Sequence, residues 1–99
     1  MKPTNKSANG TSFHSVTIKA TISQLTDILG EPITGGIEDK VTHEWEAETD
    51  EGDIFTVYDW KEYRGINKDE IIDWHIGAHS LSISQTAKKE IETALNNQK

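Results

Sequence analysis

The sequence predicts an α+β domain, in which two helices lie on one face of a mostly antiparallel four-stranded sheet in the order β-α-β-β-β-α. Apolar and polar residues alternate in four short stretches, as strands require, and apolar residues recur at helical spacing in two others. A short turn with Gly52 separates two of these strands and favours a hairpin. The 99 residues suit a single domain. We assign residues 13–99 to it and expect residues 1–12, which lack apolar periodicity, to be a flexible tail.

The first strand and first helix are predicted from alternation and from capping residues. A strand is expected at about residues 15–19. A helix follows because Thr21-Ile22-Ser23-Gln24 has the pattern of a capping box, in which Thr21 accepts the amide three residues on and Gln24 reaches back. Gly30 and Pro32 should end this helix, and residues 31–38 should form a loop.

The second and third strands should form the hairpin at the centre of the sheet. The second strand is expected over residues 40–48, and the third begins at Phe55, in the densest block of aromatic and β-branched residues. A three-residue turn sets Trp45 opposite Val57 and Ala47 opposite Phe55, which makes one face apolar. The other face then combines two carboxylates, Glu44 and Glu46, with two aromatic rings. Glu44 is expected opposite Tyr58 and Thr42 opposite Trp60, while His43 lies near Asp59.

A fourth strand and a second helix complete the predicted fold. Alternation over residues 71–77 puts Trp74 on one face and His75 on the other. Ser82 should open the last helix, with Gln85 completing a second capping box. The expected core is one contact cluster of large apolar side chains: Leu25, Leu29, Trp45, Phe55, Val57, Trp74, Ile83 and Ile91.

Composition excludes several classes of function. The net charge of −7 argues against non-specific binding of nucleic acid or anionic membranes, since both need a basic surface. The chain has no cysteine, which excludes disulfides, thiolate nucleophiles and cysteine zinc sites and fits a cytoplasmic location. No stretch is long and apolar enough for a membrane span.

Catalytic groups are few, and no catalytic or phosphate-loop motif is present. His43, His75 and His79 could act as bases, with Asp59 or Asp73 orienting one of them. Structural or surface histidines are the commoner use of these residues, so we expect a protein that is not an enzyme and needs no cofactor or metal.

A binding surface is predicted at the end of the third strand, where aromatic rings alternate with charges. Aromatic faces stack on bases, and Lys or Arg pairs with phosphate. The candidate residues are Tyr58, Trp60, Lys61, Tyr63, Arg64, Trp74 and His75. The alternative is structural: a helix covers Tyr58 and Trp60, and Trp74 belongs to the core, which is the reading we favour for Trp74.

Four sequence blocks together resemble a group of small phage-encoded proteins without a settled activity. Their order and spacing carry the resemblance, which covers residues 16–95. The blocks are Leu29-Gly30-Glu31-Pro32, Asp39-Lys40-Val41-Thr42 with Trp45, Tyr58-Asp59-Trp60-Lys61-Glu62-Tyr63, and Trp74-His75-Ile76-Gly77. The resemblance implies expression in an infected bacterium, where small accessory proteins are often counter-defence factors.

Two functions follow as expectations. The first is a non-catalytic counter-defence protein that sequesters a nucleotide-like ligand in a concave pocket, which a homo-oligomer could complete. The second is an inhibitor or adaptor whose flat acidic and aromatic patch covers a basic site on a host protein.

Overall fold

The computed structural model describes residues 1–36 and 38–98, and in that part of the chain two helices and six strands form an α+β fold. The helices are α1 (Ile22–Leu29) and α2 (Leu81–Asn96). The strands are β1 (Lys2–Pro3), β2 (Ser12–Ala20), β3 (Ile33–Thr34), β4 (His43–Glu48), β5 (Ile54–Tyr58) and β6 (Ile72–Ala78). They form one open sheet in the order β1-β4-β5-β6-β2, and β3 also pairs with β4. Every ladder is antiparallel. The α+β class is therefore confirmed, whereas the predicted number of four strands is wrong.

The two unpredicted strands both pair with β4, whose other edge is occupied by β5. β1 pairs at the end of β4, with Lys2 opposite Glu48, and β3 pairs at its beginning, with Thr34 opposite His43. Strands of two residues contain no alternation, so sequence periodicity cannot reveal them. β1 lies within residues 1–12, and the stretch expected to be a flexible tail therefore begins on the sheet.

The predicted hairpin register is confirmed on the core face. Trp45 lies opposite Val57, and Ala47 lies opposite Phe55. These side chains are buried in one cluster with apolar residues of β2, β6 and both helices. Of the eight predicted core residues, Ile83 is the exception, because it is partly buried and packs against this cluster.

Both helices begin at polar caps that satisfy backbone donors. Thr21 and Gln24 form the predicted capping box at α1, with bonds of 3.1 Å and 2.9 Å. α2 differs from the prediction, because its N-cap is Ser80, whose side chain accepts the Ile83 amide at 3.2 Å. Ser80 has the extended backbone that an N-cap requires, whereas Ser82 already lies inside the first turn. Neither described helix has the length and apolar composition needed to cross a membrane.

Candidate functional site

The face of the sheet opposite the core carries polar and aromatic side chains in register. Glu44 of β4, Tyr58 of β5 and His75 of β6 lie side by side across three strands. The neighbouring row consists of Glu46, Thr56 and Gly77. The core-facing residues alternate with these along each strand, so this is the second face of the sheet. It presents two carboxylates beside an aromatic ring, as the predicted register required.

An aromatic cluster, consisting of Phe13, Tyr58, Trp60 and His75, lies on this face. Phe13 stacks on His75 with ring centres 4.0 Å apart and planes 12° apart. The ring centres of Trp60 and His75 are 6.2 Å apart, with planes 24° apart. Tyr58 meets His75 edge-on at 5.5 Å and Trp60 edge-on at 6.3 Å. Burial lowers the pKa of His75, with the charge of Asp73 opposing the shift. The neutral imidazole is thus favoured within the stack.

A bulge in β2 helps to place Phe13 in this cluster. The register with β6 shifts between Phe13 and Thr17, and Ser15 between them has a φ of 66°. Phe13 then lies opposite Gly77, diagonal to His75, within reach of an aromatic ring. The predicted strand at residues 15–19 left Phe13 outside it, and alternation does not reveal a bulge, which changes the β6 residue that lies opposite Phe13.

A cleft of about 600 Å³ lies between the second face and the N-terminal strap, which we define as residues 5–12. The strap forms one wall, and Glu44, Glu46, Thr56, Tyr58 and Gly77 form the floor, with Trp60 at the rim. The hollow exists because the middle of the face carries small residues. A Cβ atom at Gly77 would lie 2.6 Å from the Thr56 hydroxyl, so only glycine fits beneath the cleft.

The strap is held at its beginning by contacts to Glu48. The Thr4 hydroxyl donates a 2.7 Å hydrogen bond to the Glu48 carboxylate, and the Lys2 and Lys6 ammonium groups lie 3.6 Å and 3.7 Å from it. The Thr4 hydrogen bond, followed by the lysine charges, lowers the pKa of Glu48. The Met1 amine contacts Asp50 and Glu90. These contacts anchor the chain that leads into the strap, and the two lysines of the tail were the only sign of them in the sequence.

The two carboxylates on the floor are chemically available. Glu44 and Glu46 are half-buried, and among residues 1–36 and 38–98 no side chain or backbone group donates a hydrogen bond to either carboxylate or forms an ion pair with it. Burial, and secondarily the charge of Glu46, raises the pKa of Glu44. Burial and Glu44 likewise raise the pKa of Tyr58. The floor thus offers two acceptors that a bound molecule could satisfy.

Trp60 stands at the rim beside two lysines. Its side chain is 42% exposed, and the ammonium groups of Lys40 and Lys61 lie 5.9 Å and 5.7 Å from the ring centre. Lys61 and Tyr63 have φ values of 55° and 51°, in the left-handed region that non-glycine residues avoid. A backbone of this kind costs roughly 1–3 kcal/mol per residue and persists where surrounding contacts impose it.

Asp59, immediately before Trp60, is anchored to Thr42 and His43. Its carboxylate is fully buried and accepts the Thr42 amide at 2.8 Å, the Thr42 hydroxyl at 2.6 Å and the His43 amide at 2.8 Å. His43 therefore lies near Asp59, as the register predicted. The β4–β5 ladder ends at Glu44 and Tyr58, so Thr42 binds Asp59 and is not a partner of Trp60.

The seven predicted site residues do not all meet. Tyr58, Trp60 and His75 meet in the aromatic cluster, with Lys61 beside it. Trp74 is 0% exposed and its indole donates to the Ala20 carbonyl at 2.9 Å, so the favoured core reading is confirmed and its place among the candidate site residues was wrong. Trp74 adjoins His75 along β6, so strand alternation places it on the opposite face of the sheet, which faces the core.

Arg64 and Tyr63 lie on the loop beyond Trp60 and do not line the cleft. The two terminal guanidinium nitrogens of Arg64 donate to Glu70, at 2.8 Å and 2.5 Å, and this pairing raises the pKa of Arg64 and lowers that of Glu70. Arg64 is thus already engaged, while Tyr63 remains exposed. No family model, curated protein or solved structure matches this chain.

Proposed function

We propose that the protein is a non-catalytic binding protein that sequesters a nucleotide-like small molecule in the cleft beneath the N-terminal strap. One observation carries this proposal: the cleft is concave and contains Tyr58 and Trp60 together with unpaired carboxylates. Its volume of about 600 Å³ lies within the range of small-molecule sites, about 300–1,000 Å³. A protein-binding inhibitor would instead need a flat patch.

The residue types in and around the cleft suit the parts of a nucleotide. The Trp60 ring offers a face on which a base can stack. Lys40 and Lys61, both exposed beside that ring, can pair with phosphate oxygens. Glu44 and Glu46 can accept hydrogen bonds from ring or amino N–H groups, because an ionised carboxylate only accepts.

The resemblance to small phage-encoded proteins supports a biological setting for this activity. In an infected bacterium, a protein that removes a free nucleotide signal would block the defence pathway that the signal activates. We therefore propose a counter-defence role in the host cytoplasm, fulfilled by binding alone.

A second candidate function rests on exposed aromatic residues. Phe13, Trp60 and Tyr63 are 40%, 42% and 51% exposed, and rings of this kind are enriched where proteins bind each other. With a net charge of −7, such a surface would suit a basic site on a host protein.

The test compares the wild type with Trp60→Ala combined with Lys61→Ala. A stacked ring contributes about 1–3 kcal/mol and a charge-assisted hydrogen bond about 1.5–3 kcal/mol, so the double variant should bind a nucleotide about a hundredfold more weakly or worse. The matched control is Ile71→Ala with Lys68→Ala, which also removes one exposed apolar side chain and one exposed lysine, but outside the cleft.

Melting temperature is measured against a panel of mono-, di- and cyclic nucleotides, since a ligand of the native state stabilises it by mass action. We expect one or more nucleotides to stabilise the wild type and the control, but not the cleft variant. A folded cleft variant with full affinity would remove Trp60 and Lys61 from the site. If no nucleotide binds at millimolar concentration, the ligand proposal fails. Capture of a host protein by the wild type but not by the cleft variant would then support the second candidate.

A further inference from the structure

The positions of the two carboxylates on the floor of the cleft bear on which nucleotide base the cleft would select. Glu44 and Glu46 lie two residues apart on the same face of β4, so their Cα atoms are about 7 Å apart. Glu44 belongs to the row of Tyr58 and His75, the row closer to Trp60. A base stacked on Trp60 would therefore direct one edge towards Glu44 first.

A half-buried carboxylate without an internal partner selects for a base edge that has two adjacent donors. Guanine has such an edge, because its N1–H and N2–H₂ groups lie side by side and can meet both oxygens of one carboxylate. Adenine presents an amino group beside an acceptor nitrogen, and that acceptor would face a carboxylate oxygen. Cytosine likewise presents an amino group beside an acceptor nitrogen. Uracil has a single N–H donor between two carbonyl acceptors. Charge-assisted bidentate contacts are both stronger and more selective than single neutral ones.

The positive charges lie at the other end of this arrangement. Lys40 and Lys61 are beside Trp60 at the rim, while Glu44 and Glu46 are on the floor. A nucleotide whose base edge meets the floor can thus extend its phosphate towards the rim lysines. The opposite orientation would place phosphate against two carboxylates, which electrostatic repulsion disfavours.

We propose that the cleft selects guanine nucleotides, with the Glu44 carboxylate accepting hydrogen bonds from N1–H and N2–H₂ of the base. This inference rests on the proposed function, because it names the ligand class of the same site. It depends on Glu44 and on the base edge, whereas the proposed function depends on the aromatic platform and the rim lysines.

The experiment measures the affinities of guanosine, inosine and adenosine 5′-monophosphates by calorimetry with the intact protein. Inosine monophosphate retains N1–H but lacks the 2-amino group, so it removes one of the two donors. We expect guanosine monophosphate to bind at least about tenfold more tightly than adenosine monophosphate, since a bidentate base contact discriminates by about that factor or more. Inosine monophosphate should lie between them.

Variants then assign the preference to a residue. Glu44→Gln should lower the affinity for guanosine monophosphate about tenfold and abolish the preference over adenosine monophosphate, because an amide presents a donor to one base donor. Glu31→Gln is the matched control, since Glu31 is exposed and outside the cleft, and it should leave all three affinities unchanged.

The outcomes separate the two proposals. If adenosine and guanosine monophosphates bind equally well to the wild type, guanine selection is refuted while nucleotide binding stands. The assignment to Glu44 is refuted if a folded Glu44→Gln variant retains the full preference. Failure of all three monophosphates to bind at millimolar concentration would refute guanine selection, and nucleotide binding would be refuted with it if the full panel of mono-, di- and cyclic nucleotides also fails to bind. The three-nucleotide comparison uses only the wild type, so it does not depend on the folding of any variant.

Discussion

Replacing Asp59 by alanine should destabilise the protein more than any exposed substitution at the site. Its carboxylate is fully buried and accepts three hydrogen bonds, two from Thr42 and one from His43. Alanine leaves two backbone amides and a hydroxyl without this acceptor at a buried position. Asp59 also directly precedes Trp60, so the same contacts hold the base of the loop that carries the aromatic rim.

The expected loss follows from these contacts. A hydrogen bond to a charged group contributes about 1.5–3 kcal/mol, and the losses within one network are not additive. We therefore expect Asp59→Ala to lower the free energy of unfolding by roughly 3–5 kcal/mol, comparable to removing one partner of a buried ion pair. A domain of this length has a total stability of about 5–15 kcal/mol, so the loss is a large part of it.

Urea denaturation followed by tryptophan fluorescence measures this loss. Asp59→Asn is the matched control, because its amide oxygen can still accept both backbone amides, and it should lose only about 1 kcal/mol. Thr42→Val, combined with Asp59→Ala, completes a double-mutant cycle, which should show a coupling of about 0.5–3 kcal/mol. An Asp59→Ala loss below about 1 kcal/mol would refute the idea that this buried network stabilises the hairpin end.

Three further predictions concern the core and the strap. Phe55 is fully buried, so Phe55→Ala should lower the free energy of unfolding by roughly 3–5 kcal/mol in urea denaturation; a loss below about 1 kcal/mol would contradict its central position. Deleting residues 2–9 removes β1 and the Thr4 contact, and should lower the melting temperature by at least about 4–8 °C, the shift that each kcal/mol produces in a domain of this size; an unchanged melting temperature would mean that the strap is not docked in solution. The pKa of Glu48 is lowered from 4.5, so its stabilising contribution is complete above that value and is lost as pH falls through the lowered value. The melting temperature of the wild type should therefore exceed that of Glu48→Gln at pH 7, and the difference should shrink below about pH 4.5; a difference that persists in acid would exclude the carboxylate contacts as its cause.

Local sequence rules were sufficient for the hairpin and for the first helix. Alternation and the turn at Gly52 determined that Trp45 lies opposite Val57 and Glu44 opposite Tyr58, because the side-chain period of two leaves one register that buries every large apolar residue. The capping box at Thr21 determined where α1 begins, since both of its hydrogen bonds form between residues three apart in the chain. For the same reason, two carboxylates beside an aromatic ring on one face could be predicted before the structure was known.

The cleft itself was decided by contacts between distant parts of the chain. Thr4 reaches Glu48, 44 residues away, and residues 1–12 contain no periodic pattern that would reveal this docking. β6 lies between β5 and β2 in the sheet, a position that its own alternation does not specify, although that alternation did predict Trp74 in the core. Phe13 joins the aromatic cluster only because a bulge shifts the register of β2. Periodicity and capping report interactions within a few residues, whereas strand order, bulges and the docking of the strap depend on surfaces that exist only after the chain has folded.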